Sequence, residues 1–327
     1  MLPLHFVVRI FPIGALLVLN AGVACGQATS TSSGQDFPNR PVRIVATGAG
    51  GAGDFTSRLI AQGIAGALGQ QVIVDNRATN LIASEVVSKA APDGYTLLLN
   101  SNNFWLGPLL QKTPYDPIRD YIPITLTDES PNILVVHPSM PVKSVNELIA
   151  LAKARPGELN YASGSTGGGG HLSGELLKFM AGINIVCVPY KSTAPALVDL
   201  MGGQVQFMFP SASVAPHIQS GRLKGLAVTS SKPSALFASL PTVAASVPGY
   251  ELVGLNGVFA PAKTPEALIN RLNREMVRYL RTAEAKQKFF SAGSDVLGNS
   301  PDEAAATINA DLARMGKLIR EAGIKAE

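Results

Sequence analysis

Three junctions in the 327-residue chain combine glycines, hydroxyls and helix starts in a way that can hold an anion. The first reads Gly48-Ala-Gly50-Gly51-Ala-Gly53-Asp54, the second Ser163-Gly164-Ser165-Thr166-Gly167-Gly168-Gly169-Gly170-His171, and the third Lys191-Ser192-Thr193. A helix start exposes N–H groups that lack an intrahelical partner and carries a partial positive charge. Glycine lets a ligand reach that backbone. Each junction alone is ordinarily a tight turn or a cap, and Ser or Thr before a helix is a good N-cap. Two such loops, following strands in separate blocks of the chain, point to a small carboxylate or phosphate gripped from two sides.

Other chemistries compete for the same residues. Gly48, Gly50 and Gly53 satisfy G-x-G-x-x-G, and Asp75 ends the next strand near the spacing of a ribose-binding acid, so a dinucleotide oxidoreductase is a rival reading. No Lys-Ser/Thr follows the last glycine, which excludes a P-loop. Ser165 lacks the G-x-S-x-G frame because position 163 is serine. Of the four histidines, His5 lies in the N-terminal segment that reads as a signal peptide, His137 precedes Pro138 and His217 sits in an ordinary helix; only His171 stands beside a candidate site. No H-x-x-x-H or carboxylate cluster has metal-ligand spacing. The expectation is therefore a binding protein without metal or cofactor, not an enzyme.

The elements that position these loops alternate. Val42 to Thr47 reads as a strand, Phe55 to Leu68 as a helix closed by Gly69, Gln71 to Asp75 as a strand, Ser84 to Ala91 as a helix and Tyr95 to Leu99 as a strand. A Pro-rich stretch, Pro114 to Pro123, breaks the rhythm. A second block has strands near 133–137, 159–163, 183–189, 205–209 and 223–229, with helices near 144–154, 172–181, 194–202 and 212–220. A strand at Leu252 to Phe259 and helices near 265–282, 284–291 and 301–322 close the chain. Such alternation implies largely parallel sheets covered by helices.

Composition narrows the class. Apolar residues make up 46% and charged residues 15%, enough for sizeable cores and against disorder. The net charge of +4 shows no basic stripe along the sequence, so nucleic acid is not an expected partner. Two cysteines exclude a disulfide scaffold. Arg9 precedes an apolar run, Ile10 to Ala24, that is shorter than the roughly 20 residues of a membrane span and ends in small residues. Residues 1–26 read as a secretory signal peptide and 27–35 as a flexible leader. Cys25 stands where a lipid-anchoring cysteine would, although Gly22 replaces the usual leucine.

Several segments resemble the Bug family, the solute-binding proteins of tripartite tricarboxylate transporters. Phe37-Pro-Asn-Arg-Pro-Val-Arg-Ile-Val45 is similar to that family's opening segment. So are Gly50-Gly51-x-x-Asp54, Ala91-Pro-Asp-Gly-Tyr-Thr-Leu-Leu98, Pro114 to Pro123, the second glycine loop through Leu172, and Val188-Pro-Tyr-Lys191 with Pro195-Ala196. The resemblance implies an α/β, type II periplasmic-binding-protein fold of two lobes joined by two hinge crossings, near 123–132 and 248–254. Lobe 1 would hold 36–125 with 251–327, and lobe 2 would hold 126–250. It implies ligand-binding roles for Gly50, Gly51, Asp54, Ser101, Ser163, Gly164, Gly167 and Tyr190. Thr193 joins them from its place at a helix start and His171 from its place at the end of the second loop. The chain departs from the family after Asn76-Arg77, where Ala78-Thr-Asn-Leu81 replaces a glycine-rich P-G-A-G-G.

The resulting expectation is a periplasmic, monomeric receptor. It would capture a small carboxylate between two lobes and deliver it to the membrane permease subunits of a tripartite tricarboxylate transporter. A sensor subunit of the same fold is the alternative, and a Rossmann NAD(P)-dependent oxidoreductase the distant one.

Overall fold

The computed structural model describes residues 37–164, 167–321 and 323–324. The expected signal peptide, the leader and Cys25 lie outside the described residues, as do Ser165 and Thr166 of the second loop. In chain order the elements are β1 (Val42–Thr47), α1 (Ala52–Leu68), β2 (Val72–Arg77), α2 (Asn80–Ser88), β3 (Thr96–Ser101), α3 (Asn103–Leu110) and β4 (Tyr121–Pro131). There follow β5 (Ile133–Val136), α4 (Val145–Ala154), β6 (Asn160–Ser163), α5 (Gly169–Ala181), β7 (Val186–Pro189), α6 (Thr193–Met201), β8 (Phe207–Met208), α7 (Ala215–Gln219) and β9 (Lys224–Val228). The last are β10 (Val253–Pro261), α8 (Glu266–Leu280), α9 (Ala283–Ser291), β11 (Asp295–Val296) and α10 (Pro301–Glu321).

Two mixed sheets result. The first runs β11-β4-β10-β3-β1-β2 and the second β7-β6-β8-β5-β9. β1 is parallel to both β2 and β3, so the loops that follow all three emerge at one sheet edge. β6 is parallel to β7, which places the second glycine loop beside the Lys191–Thr193 junction. In β1, Val42, Ile44, Val45 and Ala46 are all fully buried, the unbroken apolar run of a strand covered on both faces. α1 sends Ile60, Ile64 and Leu68 into that core and ends at Gly69, whose left-handed φ of 66° suits glycine.

The structure refines the sequence expectations at two places. The stretch 123–131 is not a crossing but most of β4, paired antiparallel with β10 from Tyr121 to Pro131. Pro123 is tolerated because β11 pairs only with Asp128 and Glu129, leaving the strand's other side open there. The chain passes from the first sheet to the second at Asn132, the last residue of the expected crossing near 123–132. A helix, α3, stands where no element was expected; Pro108 inside it masks the pattern. Its Phe104 and Trp105 are fully buried, and Trp105 Nε1 donates to Asp311 at 2.9 Å, so both belong to the core.

One buried residue ties the two crossings together. Thr229, just beyond β9, accepts the Asn132 N–H at its Oγ1 (2.9 Å) and returns its own N–H to the Asn132 carbonyl (2.9 Å). Its carbonyl accepts the Leu252 N–H at 3.0 Å, at the entrance to β10. Thr229 thus fixes both passing strands at the point where the chain changes sheet.

Candidate functional site

Both glycine loops turn into helix earlier than their composition suggests. α1 begins at Ala52 and α5 at Gly169, inside the glycine runs, although glycine is a poor helix former. Asp54 and His171 consequently occupy the same place, the third residue of their helices. Each reaches back to the amide just before the helix cap. Asp54 Oδ2 accepts the Gly50 N–H at 2.9 Å, and His171 Nδ1 accepts the Gly167 N–H at 3.1 Å. This is a capping-box logic displaced by one residue. It corrects the simplest form of the anion-grip expectation, because the Gly50 and Gly167 amides are already satisfied within the protein. The Gly51 N–H is also spent, on the Gly48 carbonyl at 3.2 Å. The donors that a helix start leaves over are the first-turn amides: Ala52, Gly53 and Asp54 in α1, and Gly169, Gly170 and His171 in α5.

Electrostatics separate the two loops. Asp54 is buried, and its carboxyl is held below the usual carboxylate range by the Gly50 hydrogen bond first, with further help from Arg58, whose Nε lies 3.0 Å from Oδ1. Burial opposes that shift. His171 is buried too, and burial lowers its pKa; Glu175 pulls it up and Lys178 pushes it down. An Nδ1 that accepts an amide N–H belongs to a neutral ring carrying its proton on Nε2. Loop one thus carries a fixed negative charge and loop two a neutral brace.

The second sheet gathers most of the remaining predicted residues. The Tyr190 N–H donates to the Ser163 carbonyl at 2.8 Å, continuing the β6–β7 pairing. Gly164 lies hard against Thr193: a Cβ on Gly164 would stand 2.7 Å from Thr193 Oγ1 and 2.8 Å from its nitrogen. Thr193 is not the cap expected of it. It is the first residue of α6, exposed, and Ser192 holds the cap position without a side-chain bond. The Tyr190 hydroxyl does not stand free; it donates to Asp199 Oδ2 at 2.6 Å, which pushes its pKa up to about 12.

Ser101 closes β3 at the same sheet edge as loop one, and its N–H is taken by Asn100 Oδ1 at 2.9 Å. No hydrogen bond joins Gly50, Gly51, Asp54 or Ser101 to the residues of the second sheet among the described residues. At loop two the neighbour from the first lobe is apolar: a Cβ on Gly167 would stand 2.7 Å from Leu110 Cδ1 of α3. Residues that composition did not single out complete the edge. Asp128, fully buried in β4, is held by Thr127 Oγ1 (2.8 Å) and Asn256 Nδ2 (2.9 Å), and burial drives its pKa up. At the family departure, Thr79 caps α2, its Oγ1 accepting the Ile82 N–H at 3.2 Å. Threonine before a helix is the signal that would have found it. Thr79→Ala is expected to cost about 1 kcal/mol in urea unfolding, the usual value of a lost cap.

The dinucleotide alternative loses its acid. β2 runs on to Arg77, so Asp75 is not its last residue. Asp75 Oδ2 is bound by Arg77 Nη2 at 2.6 Å and approached by Arg43 Nη1 at 3.4 Å. That carboxylate braces β1 against β2 and is not free for a ribose hydroxyl.

Comparison with known proteins identifies the family and the fold. Residues 56–324 match the family model described as the tripartite tricarboxylate transporter family receptor. Protein BugT of Bordetella pertussis is 33% identical over 325 residues, covering 97% of this chain and 98% of its own. Among solved structures, R. palustris Rpa4515 with adipate is 36% identical with a TM-score of 0.74, and covers 89% of this chain and 100% of its own. MatC from Rhodopseudomonas palustris with bound malate is 28% identical with a TM-score of 0.69, and covers 86% of this chain and 100% of its own. The two-lobed α/β architecture is that of a periplasmic binding protein, and the chain belongs to the tripartite tricarboxylate transporter receptor family, the Bug family that its motifs resemble.

Proposed function

We propose that this chain is a periplasmic receptor that closes two lobes on a small carboxylate and hands it to the membrane permease subunits of a tripartite tricarboxylate transporter. The observation that carries the reading is the matched pair of braces, Asp54 on Gly50 and His171 on Gly167. They hold two helix starts, one on each sheet, whose first-turn amides have no partner within their own helix. Relatives of the family with adipate and with malate support a carboxylate as the class of ligand. Ser101, Ser163, Gly164, Tyr190 and Thr193 line the grip from the same strand ends. The two lobes move about Asn132 and Leu252, with Thr229 between them. Export through the N-terminal signal peptide, with or without a lipid on Cys25, places the receptor outside the cytoplasm, where it acts as a monomer.

A thermal-shift screen of the chain from Gln27 onward tests this reading, using mono-, di- and tricarboxylates, amino acids, aromatic acids, NAD and NADP. A carboxylate at 100 times its dissociation constant adds about 2.7 kcal/mol of stability, an easily read shift. Neither dinucleotide is expected to shift the transition. A shift by NAD alone, lost in Asp75→Ala, would overturn the proposal.

A further inference from the structure

Delivery to a permease needs a surface as well as a cleft, and α8 offers one. Contrary to the expectation of no basic stripe, its Arg271, Arg274 and Arg278 and the C-cap Arg281 recur at spacings of three, four and three, which sets them along one face of the helix. The opposite face, Ile269, Leu272, Met276, Val277 and Leu280, is buried in the core. Arg274, Arg278 and Arg281 are exposed and, with Asn273, Asn299 and Glu303, line an open groove of about 480 Å³ between α8 and the start of α10.

The groove is built on a fixed floor. Asn273 Nδ2 donates to the carbonyls of Ile124 and Asn299 at 2.8 Å each, and Asn299 Oδ1 accepts the Leu126 N–H at 2.8 Å. Its acids are largely spent. Glu275 pairs with Arg278 at 2.8 Å. Glu303 turns back on Ser300, accepting its N–H at 2.8 Å and its hydroxyl at 2.9 Å, which with the hydroxyl's return bond to the Glu303 N–H closes a capping box. Among the described residues, no carboxylate lies within ion-pair distance of Arg271, Arg274 or Arg281.

We infer that this groove is the docking surface for a carboxylate-rich segment of a protein partner. The inference rests on the receptor function proposed above, and the partner is the permease invoked there. Guanidinium groups in a row match carboxylates in paired, fork-like hydrogen bonds. A lipid surface fits less well. A helix that lies on a membrane needs its apolar face free to enter it, and the apolar face of α8 is consumed by the core. No aromatic side chain lines the groove to serve as an anchor.

A fluorescent decaglutamate peptide, titrated by anisotropy into the full secreted chain at low and at physiological salt, tests the groove. Arg271→Glu/Arg274→Glu/Arg281→Glu is expected to weaken peptide binding at least about tenfold and to flatten its salt dependence, with the melting temperature unchanged. An equal charge reversal elsewhere, Lys112→Glu/Lys143→Glu/Lys153→Glu, is expected to leave binding within about twofold. Equal losses in both variants would overturn the proposal in favour of bulk charge. Binding to phosphatidylglycerol vesicles but not to the peptide would overturn it in favour of lipid. Self-association lost in the groove variant, without peptide binding, would overturn it in favour of a second copy. Groove-specific peptide binding in a protein that no carboxylate stabilises would sink the transport reading and keep the groove. A carboxylate shift without groove-specific peptide binding would sink the groove alone.

Discussion

Valine at position 51 is expected to weaken carboxylate binding at least tenfold, about 1.4 kcal/mol, with the fold retained. Gly51 caps α1 in an extended conformation, φ −86° and ψ 175°, which any residue adopts. A Cβ there meets nothing closer than the Gly48 carbonyl oxygen at 3.4 Å, an ordinary contact. The side chain would nonetheless stand beside the first-turn amides of Ala52, Gly53 and Asp54, where the proposed grip brings the ligand. Helix-start attraction is worth about 0.3–1 kcal/mol, up to ~2 when partly buried. Each charged hydrogen bond adds about 1.5–3 kcal/mol, so displacement of one contact suffices for the expected loss. Gly167→Val is a different experiment. Gly167 has a φ of +75°, strained for valine, and its Cβ would collide with Leu110 Cδ1 at 2.7 Å, so stability is expected to fall along with affinity. Ser163→Ala and Thr193→Ala are expected to cost less, because water partly replaces one hydroxyl. Calorimetry with the strongest carboxylate of the screen, alongside urea midpoints, reads all four variants. A folded Gly51→Val protein that binds as tightly as wild type would place the ligand away from loop one.

The parts of this molecule that the sequence made legible are those where one physical rule dominates. The strand at 42–47 is apolar because it is covered on both faces, the helix from 145 announces itself by period and its Ser144 cap, and the helix from 266 by period alone. The glycine loops were visible as loops, but their helix starts were not. Glycine's poor propensity hides a turn that is held by Asp54 and His171 from within, so the amides that looked free at Gly50 and Gly167 are in use. β4 was hidden for a related reason. Pro123 argues against a strand until the neighbour on that side proves to be two residues long and placed elsewhere. Tyr190 was found as a position, whereas its bond to Asp199 depends on how α6 packs against the second sheet. Arg77 shares a face of β2 with Asp75 two residues away, but Arg43 closing on that carboxylate required the β1–β2 register, which sets Val45 opposite Asp75. Local rules thus place the loops, and the long-range packing decides which of their atoms remain available.

The brace in loop two gives binding a direction in pH. His171 Nδ1 can accept the Gly167 N–H only while the ring is neutral. Protonation puts a second donor against that amide and removes the bond. Burial favours the neutral form, and Lys178 adds to it. The opposing pull of Glu175 is partly spent, since Glu175 Oε1 takes the Tyr161 hydroxyl at 2.8 Å and Oε2 lies 3.6 Å from Lys178. The folded protein therefore binds fewer protons than the unfolded chain below the ordinary histidine value of about 6.5. The stabilisation is fully present above that value and is lost as pH falls through it toward the lower folded value. An amide left unsatisfied costs about 1–3 kcal/mol, so affinity is expected to stay level above the ordinary histidine value and to fall, by about tenfold in full, as pH drops below it through the lowered folded value, read by calorimetry across an acid series. His171→Asn is expected to bind more weakly at the higher pH and to lose most of the pH dependence, with the helix start otherwise kept by the Gly168 cap. The opposite slope, tighter binding at the lower pH that vanishes in His171→Asn, would mean that an imidazolium pairs directly with the carboxylate. His171 would then be a ligand of the anion and not the brace that positions the loop around it.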